Sequence, residues 1–342
     1  MTKRYLSKRQ KERIQSIQAR RRERAIAKKS VSEEELENLT QLGPEIRGTV
    51  ITNFGAQVDI EGLEDQYSGQ IYRCYLRTNL EPLVTGDRVI WRYAEPVGVV
   101  VARESRNSEL LRPDPYGKLR PVAANVDRIA IVFAAKPTPY SNLIDRYLIA
   151  AEAQNIQPLL VINKFDMLDD HDYPDVKQLL KDYQTVGYEV FCVSASSGVG
   201  MKQLQDYLAL HTSVFVGQSG VGKSSLINRL QPQANILTGE LSASTDKGMH
   251  TTTASRLFHL ENGGDLIDSP GIREFAVTNL TDEQIIDGFV EFRPFLGHCK
   301  FRDCKHQTEL SCALIKAVDE GKILPVRLQN YRNILASQDE QA

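Results

Sequence analysis

Gly217-Gln218-Ser219-Gly220-Val221-Gly222-Lys223-Ser224 has the composition and spacing of a loop that wraps phosphate. Its glycines let backbone amides close around phosphate oxygens with no side chain in the way. The apolar run Val214–Val216 before it reads as a strand. Lys223–Leu230 after it reads as a helix, whose N-terminus directs partial positive charge at the same anion. In that setting Lys223 reaches the β- and γ-phosphates and the Ser224 hydroxyl ligates Mg²⁺, with Ser225 next in the loop.

Asn163-Lys164-Phe165-Asp166 ends a second apolar run, Leu159–Ile162. The Asp166 carboxylate can accept two hydrogen bonds, from guanine N1–H and the N2 amine. Adenine offers neither donor and would leave the carboxylate unpaired. Asn163 can bond the O6/N7 edge, and the Lys164 stem can lie along the ring. Ser194-Ala195-Ser196, after the run Glu189–Val193, suits a backbone amide aimed at guanine O6. Alone, the tetrapeptide also fits a strand-end turn with an Asp cap; the phosphate loop in the same chain favours guanine.

Asp268-Ser269-Pro270-Gly271 ends a third run, where Asp268 suits an outer-sphere Mg²⁺ ligand and the Gly271 amide suits the γ-phosphate. Between these motifs lies Lys247-Gly248-Met249-His250-Thr251-Thr252-Thr253. One threonine hydroxyl here would complete the Mg²⁺ shell; the spacing leaves all three open, and Thr252 is taken as the ligand. Better-known GTPases carry a glutamine after the glycine of the third motif, to orient the attacking water. Ile272 stands there and cannot do so. The neutral imidazole of His250 can accept a bond from water near pH 7, which makes it the candidate; the alternative is a solvent-exposed loop histidine.

The order of these motifs is unusual. The base reader precedes the phosphate loop by about fifty residues, whereas the ordinary arrangement places it after. The parts of a GTPase are all present, circularly permuted.

Cys299, Cys304, His306 and Cys312 gather within fourteen residues, enough for a closed tetrahedral zinc shell with no open position, hence a structural site. His298 competes with His306, but adjacent residues rarely face one metal. Buried free thiols are the bland alternative. Cys74 and Cys192 lie in apolar runs and read as core. An odd total of five cysteines argues for a reducing compartment, the cytoplasm.

The elements that must position these groups follow from patterning. Residues 47–103 alternate in short strands broken by Gly, Asn, Asp and Pro, which predicts a small OB-like β-barrel. Tyr72, Tyr75, Trp91 and Tyr93 could stack on bases or fill that barrel; alternation leaves both open. A Pro- and polar-rich stretch, 112–124, reads as a linker. Strands and helices then alternate as in a doubly wound parallel sheet. Helical text after residue 280 surrounds the cysteine cluster. The domains expected are a basic extension and linker (1–44), an OB-fold RNA-binding domain (45–106), a permuted GTPase domain (107–280) and a small helical zinc domain (281–342). Residues 1–30 hold twelve Lys or Arg against two Glu, a net of +10. With −2 for the whole chain, the rest carries −12. A basic arm on an acidic body points to a polyanion, or else to a solvated tail. No run of eighteen apolar residues occurs, so no membrane span is expected.

Motif order, Ile272, the Gly248–Thr253 segment and the Cys-x4-Cys-x-His-x5-Cys module together resemble the bacterial small-ribosomal-subunit biogenesis GTPases of the RsgA (YjeQ) type. The resemblance spans residues 45–335. It implies an OB domain, a permuted GTPase domain and a zinc domain. It also implies binding of the 30S subunit and 16S rRNA late in maturation, with hydrolysis stimulated by the subunit and coupled to release. By the same resemblance Asn163–Asp166 and Gly217–Ser225 bind GTP or GDP, the three cysteines with His306 bind zinc, and a switch histidine matching His250 assists hydrolysis. The basic arm is not part of the pattern. A monomer is expected. The competing reading is a non-enzymatic RNA-binding protein that only senses GTP or GDP.

Overall fold

The computed structural model describes residues 42–77, 80–114, 116, 118–168, 173–232, 255–268 and 280–339. The chain divides between Arg106 and Asn107 into two units.

The first unit is a barrel. Strands β1 (Glu45–Asn53), β2 (Gln57–Gly62), β3 (Ile71–Leu76), β4 (Arg88–Arg92) and β5 (Gly98–Arg103) form it. β1 pairs antiparallel with both β2 and β4, β2 with β3, and β4 with β5, while β3 runs parallel to β5. Pairing therefore closes on itself and leaves no edge. Every second side chain points inward, so Val50, Val58, Ile60, Cys74, Val89, Trp91 and Val100 are fully buried. Trp91 belongs to the core. Tyr72 and Tyr93 are half-buried and meet Tyr67 with ring centroids 5.6–5.7 Å apart; Tyr75 is half-buried too. Gly48 makes room for the indole, since a Cβ there would lie 2.8 Å from Trp91 Nε1 and 2.4 Å from Ile60. Buried Asp87 accepts from Val84 N at 2.7 Å and from Arg106 Nε at 2.6 Å, which fastens the loop before β4 to the unit's last residue.

The second unit begins at Asn107. The stretch 112–124 is no open linker but part of a hairpin, β6 (Glu109–Pro113) and β7 (Leu119–Ala124). Its inward side chains are apolar: Leu110, Ala123 and Ala124 are fully buried. The ladder is irregular between Leu110 and Leu111, and Leu111 N donates instead to Gln154 Oε1 at 2.7 Å.

The rest of the sheet uses β8 (Arg128–Ala134), β9 (Gln157–Asn163), β10 (Val190–Cys192), β11 (Thr212–Val216), β12 (Arg256–His259) and β13 (Asp265–Asp268). Helices α1 (Ser141–Glu152), α2 (Pro174–Val186), α3 (Met201–Leu208) and α4 (Lys223–Leu230) connect them. Within this unit the strand order is β10-β9-β8-β11-β13-β12, parallel throughout except for the β12–β13 pair. Ala130, Val132, Leu159 and Val161 of the sheet pack on Leu204, Leu208, Leu226 and Ile227 of α3 and α4. Cys192 departs from expectation: β10 is a three-residue edge strand, and the thiol is half-buried.

Three more helices, α5 (Asp282–Asp287), α6 (Ala313–Asp319) and α7 (Pro325–Asp339), form the carboxyl-terminal module. A capping box of Thr281 and Gln284 starts α5. The module's core of Ile285, Phe289, Phe292, Leu314, Tyr331 and Ile334 also takes in Ile149 of α1. Arg327 of α7 is 2% exposed and pairs with Asp145 of α1, which is fully buried. It also bonds Glu291 at 2.6 Å and lies 4.6 Å from the Phe289 ring centroid. Burial opposes the guanidinium charge, but Asp145 and Glu291 outweigh it and hold Arg327 above its ordinary pKa. Removing one partner would strand a buried charge, at a cost of about 3–5 kcal/mol. Both the sheet and this module belong to the second unit, Asn107–Ala342.

Gly288 sets the spacing of that contact: a Cβ would sit 2.8 Å from Ile149 Cγ2 and 3.0 Å from Ile149 Cα. Gly288→Ala should lower unfolding free energy by about 1–3 kcal/mol through overpacking. Denaturant titration measures it, and a midpoint equal to that of the parent would show that α1 yields freely.

Candidate functional site

Permutation changes the order in which the motifs are written and leaves them at one edge. β9 ends at Asn163, β11 at Val216 and β13 at Asp268; all three strands run parallel, with β8 between β9 and β11. The base-reading tetrapeptide, the phosphate loop and Asp268 thus lie at the carboxyl edge, where ligands bind in open α/β sheets. Ser194-Ala195-Ser196 follows β10 at the same edge.

The glycines of the phosphate loop are required by their protein neighbours. Gly217 has φ +137°, and a Cβ there would lie 2.0 Å from the Val132 carbonyl oxygen of β8. Gly222 has φ +89°, and its Cβ would lie 2.4 Å from Asn163 Nδ2. Gly220 has φ +80° and is exposed. Gly222 caps α4, Val221 is buried in the core, and Lys223 opens the helix. Lys223 Nζ donates to Gly217 O and Gln218 O, both at 2.6 Å, so its ammonium lies within the ring of the loop. Gln218 and Ser224 are half-buried; Ser219 and Ser225 are exposed.

Asn163 is 2% exposed, and its amide is bonded to the protein. Nδ2 donates to Val221 O at 2.9 Å and Gly222 O at 3.3 Å, while Oδ1 accepts from Ala195 N at 3.2 Å. One side chain thereby fastens three loops together. Lys164, in the left-handed region at φ +60°, donates from Nζ to Gly220 O at 2.8 Å and to Lys136 O at 3.2 Å. That bond ties the β8–α1 connection to the phosphate loop, a role no local pattern announces. Asp166 is exposed. The Ser194 hydroxyl, then its own backbone amide and Ser196, hold its carboxyl below the usual range, so it is a carboxylate near neutral pH, as an acceptor must be. Phe165, half-buried, donates from its backbone N to Val193 O at 3.0 Å. His250, Thr251, Thr252, Thr253, Gly271 and Ile272 lie outside the described residues, as does the basic arm.

The second site is the cysteine cluster, whose four ligand atoms all lie within 4.8 Å of one another. His306 Nδ1 is 3.6 Å from Cys299 Sγ, 3.6 Å from Cys304 Sγ and 3.3 Å from Cys312 Sγ; Cys299 and Cys312 Sγ are 3.9 Å apart. Tetrahedral zinc with bonds of about 2.3 Å to sulfur sets ligand separations of about 3.5–3.8 Å, so the set fits such an ion. Ala313 N donates to Cys299 Sγ at 3.3 Å. Arg332 of α7 grips the His306 carbonyl from Nε at 2.9 Å and Nη2 at 2.7 Å, holding that residue in its left-handed turn at φ +58°. Sequence reading passed over Arg332 because its target lies twenty-six residues away. His298 is exposed and outside the cluster.

Comparison with known proteins agrees with this geometry. The family model described as RsgA GTPase matches residues 103–278. A small ribosomal subunit biogenesis GTPase RsgA of Azotobacter vinelandii is 54% identical over 341 residues, covering 99% of both chains. The chain belongs to the RsgA GTPase family. A Pseudomonas aeruginosa RsgA is likewise 54% identical with the same coverage. Among solved structures, YjeQ from Thermotoga maritima matches with a TM-score of 0.71 at 30% identity, covering 86% of this chain and 99% of that one. YloQ, described as a circularly permuted GTPase, matches with 0.68 at 28%, covering 89% and 97%. As an RsgA GTPase the chain is an enzyme that hydrolyses GTP, built from an OB-like barrel, a permuted P-loop sheet and a module with a Cys₃His cluster able to hold a metal ion.

Asn163→Asp would turn a carboxylate toward two carbonyl oxygens. GDP affinity should fall by about tenfold or more, given a cost above about 1–3 kcal/mol for such a mismatch. Titration with a fluorescent GDP reads this directly; unchanged affinity would mean that the amide does not hold the loop.

Proposed function

We propose that this GTPase binds the 30S ribosomal subunit and acts late in its maturation, in the cytoplasm, as a monomer whose hydrolysis is stimulated by the subunit and coupled to release. The full-length similarity to small ribosomal subunit biogenesis GTPases supports the biological setting. The observation that carries the chemistry is the convergence of the base-reading, phosphate-loop and Asp268 motifs at one sheet edge.

In this reading Gly217, Gln218, Ser219, Gly220, Val221, Gly222, Lys223, Ser224 and Ser225 hold the phosphates. Asp166 reads guanine, and the Asn163 amide positions the loops while Lys164, Phe165, Ser194 and Ala195 frame the base. Ser224 and Thr252 would hold Mg²⁺ bound with GTP, with Asp268 supporting it, and the ion would supply neutralisation of charge on the phosphates. Gly271 contacts the γ-phosphate and His250 orients the attacking water. Cys299, Cys304, His306 and Cys312 hold one structural Zn²⁺. The barrel, residues 45–106, is the RNA-binding domain facing 16S rRNA, with residues 107–280 the GTPase domain, 281–342 the zinc domain and the arm within 1–44 adding electrostatic attraction.

Asp166→Asn should weaken GTP binding and favour xanthosine triphosphate, whose C2 oxygen pairs with an amide donor; competition binding of the two nucleotides measures the switch. Co-sedimentation with 30S subunits should recover more protein with a non-hydrolysable GTP analogue than with GDP, and 30S should accelerate turnover. Equal recovery in both states would remove the proposed coupling. His250→Ala should lower 30S-stimulated turnover while GTP-analogue affinity stays near that of the parent, and an unaltered rate would remove His250 from the reaction.

A further inference from the structure

Two groups of contacts meet on helix α1. Toward the nucleotide edge, Tyr140 just before it and Leu143, Ile144 and Tyr147 within it line a cleft together with Gly217 and Gln218 of the phosphate loop. The connection leading into α1 is itself tied to that loop through Lys164 Nζ, which bridges Lys136 O and Gly220 O. On its other side α1 presents Ser141 and Asp145 to α7. Asn330 Nδ2 donates to Ser141 Oγ at 3.0 Å and to Asp145 Oδ2 at 2.6 Å, and Arg327 pairs with Asp145 out of solvent. Two residues beyond Asn330, Arg332 grips the carbonyl of the ligand His306.

We propose that α1 and α7, welded by Arg327 and Asn330, form a strut that couples the Cys₃His metal site to the phosphate loop, so that nucleotide and metal each change the affinity of the other. The pairing is too buried to slide: Asp145 is fully covered and Arg327 is 2% exposed, so neither helix can turn on the other without exposing a charge. A displacement of the β8–α1 connection on nucleotide binding is therefore carried to α7 and to the backbone of His306 instead of being absorbed between them. Arg327 and Asn330 are positioning residues in this account; neither touches nucleotide or metal. The inference rests on the reading that Gly217–Ser225 binds nucleotide phosphates and that the four ligands hold zinc.

Reciprocity makes the test. In the full-length protein, zinc affinity is measured by competition with a chromogenic chelator, with and without saturating GDP. Affinity for a fluorescent GDP is measured before and after metal removal. Linkage requires the two factors to be equal, and we expect each to be about fivefold or more. Arg327→Met should bring both factors close to one while zinc still binds one per chain and GDP still binds. Asn330→Ala, the gentler change, should reduce them part of the way, and it decides the matter if Arg327→Met loses its metal. A factor of one in the wild-type protein overturns the proposal, as does an undiminished factor in a variant that keeps its metal. Failure of wild-type protein to bind GDP or zinc at all would instead overturn the underlying site assignments.

Discussion

The amide of Asn163 is the point on which the nucleotide site depends. Its Nδ2 hydrogens are committed to carbonyls of the phosphate loop and its Oδ1 to the amide of Ala195, all inside a 2% exposed pocket. Loops that follow β9, β10 and β11 thereby share one fixed point. Gly222 must be a glycine because Asn163 occupies the space a Cβ would take. Asp166 can wait as an exposed carboxylate because the residue three places earlier is anchored. These three loops follow strands that are consecutive in the chain, and the hydrogen bonds of Asn163 tie them to one another across the edge of the sheet.

A second constraint governs the carboxyl-terminal module. Its core is completed by Ile149 of α1, and its one deeply buried cation is shared between Asp145 and Glu291. Buried ion pairs are often replaceable by well-packed apolar residues of similar volume without loss of stability. What the charges impose is a single allowed orientation, since any shift of α7 along α1 separates Arg327 from Asp145. The module is thus not an arm hinged on the GTPase sheet. It is an extension of that sheet's own helical layer.

Much of this was legible because the signals were local. The phosphate loop and the helix Lys223–Leu230 follow from glycine spacing and a helix start, and their ends match the structure. The barrel follows from alternation that buries Val58, Ile60 and Trp91 on one side. The hairpin β6–β7 escaped because Pro113 and Pro121 disguise strands whose partner supplies most of the pairing information. Cys192 misled because an apolar run does not say whether its strand is central or, as β10, at the edge. That the Asn163 amide also bonds the phosphate loop and Ala195 does not follow from composition, which cannot show a side chain's partners. Arg327 carries no signal at all toward Asp145, 182 positions away.

The strand order also has a consequence for the way this protein is made. Synthesis delivers β8, β9 and β10 first, and these pair as β10-β9-β8. The outer edge of β8, lined by Ile129, Ala130 and Ile131, is then the open side of a parallel sheet until β11 emerges to cover it. Here the nascent chain carries a bare apolar strand edge through the translation of some eighty residues, from Arg128 to Thr212. Such an edge is a template for mispairing with another chain. A protein that builds its sheet in this sequence has a period of vulnerability on the ribosome that ends when β11 pairs with β8.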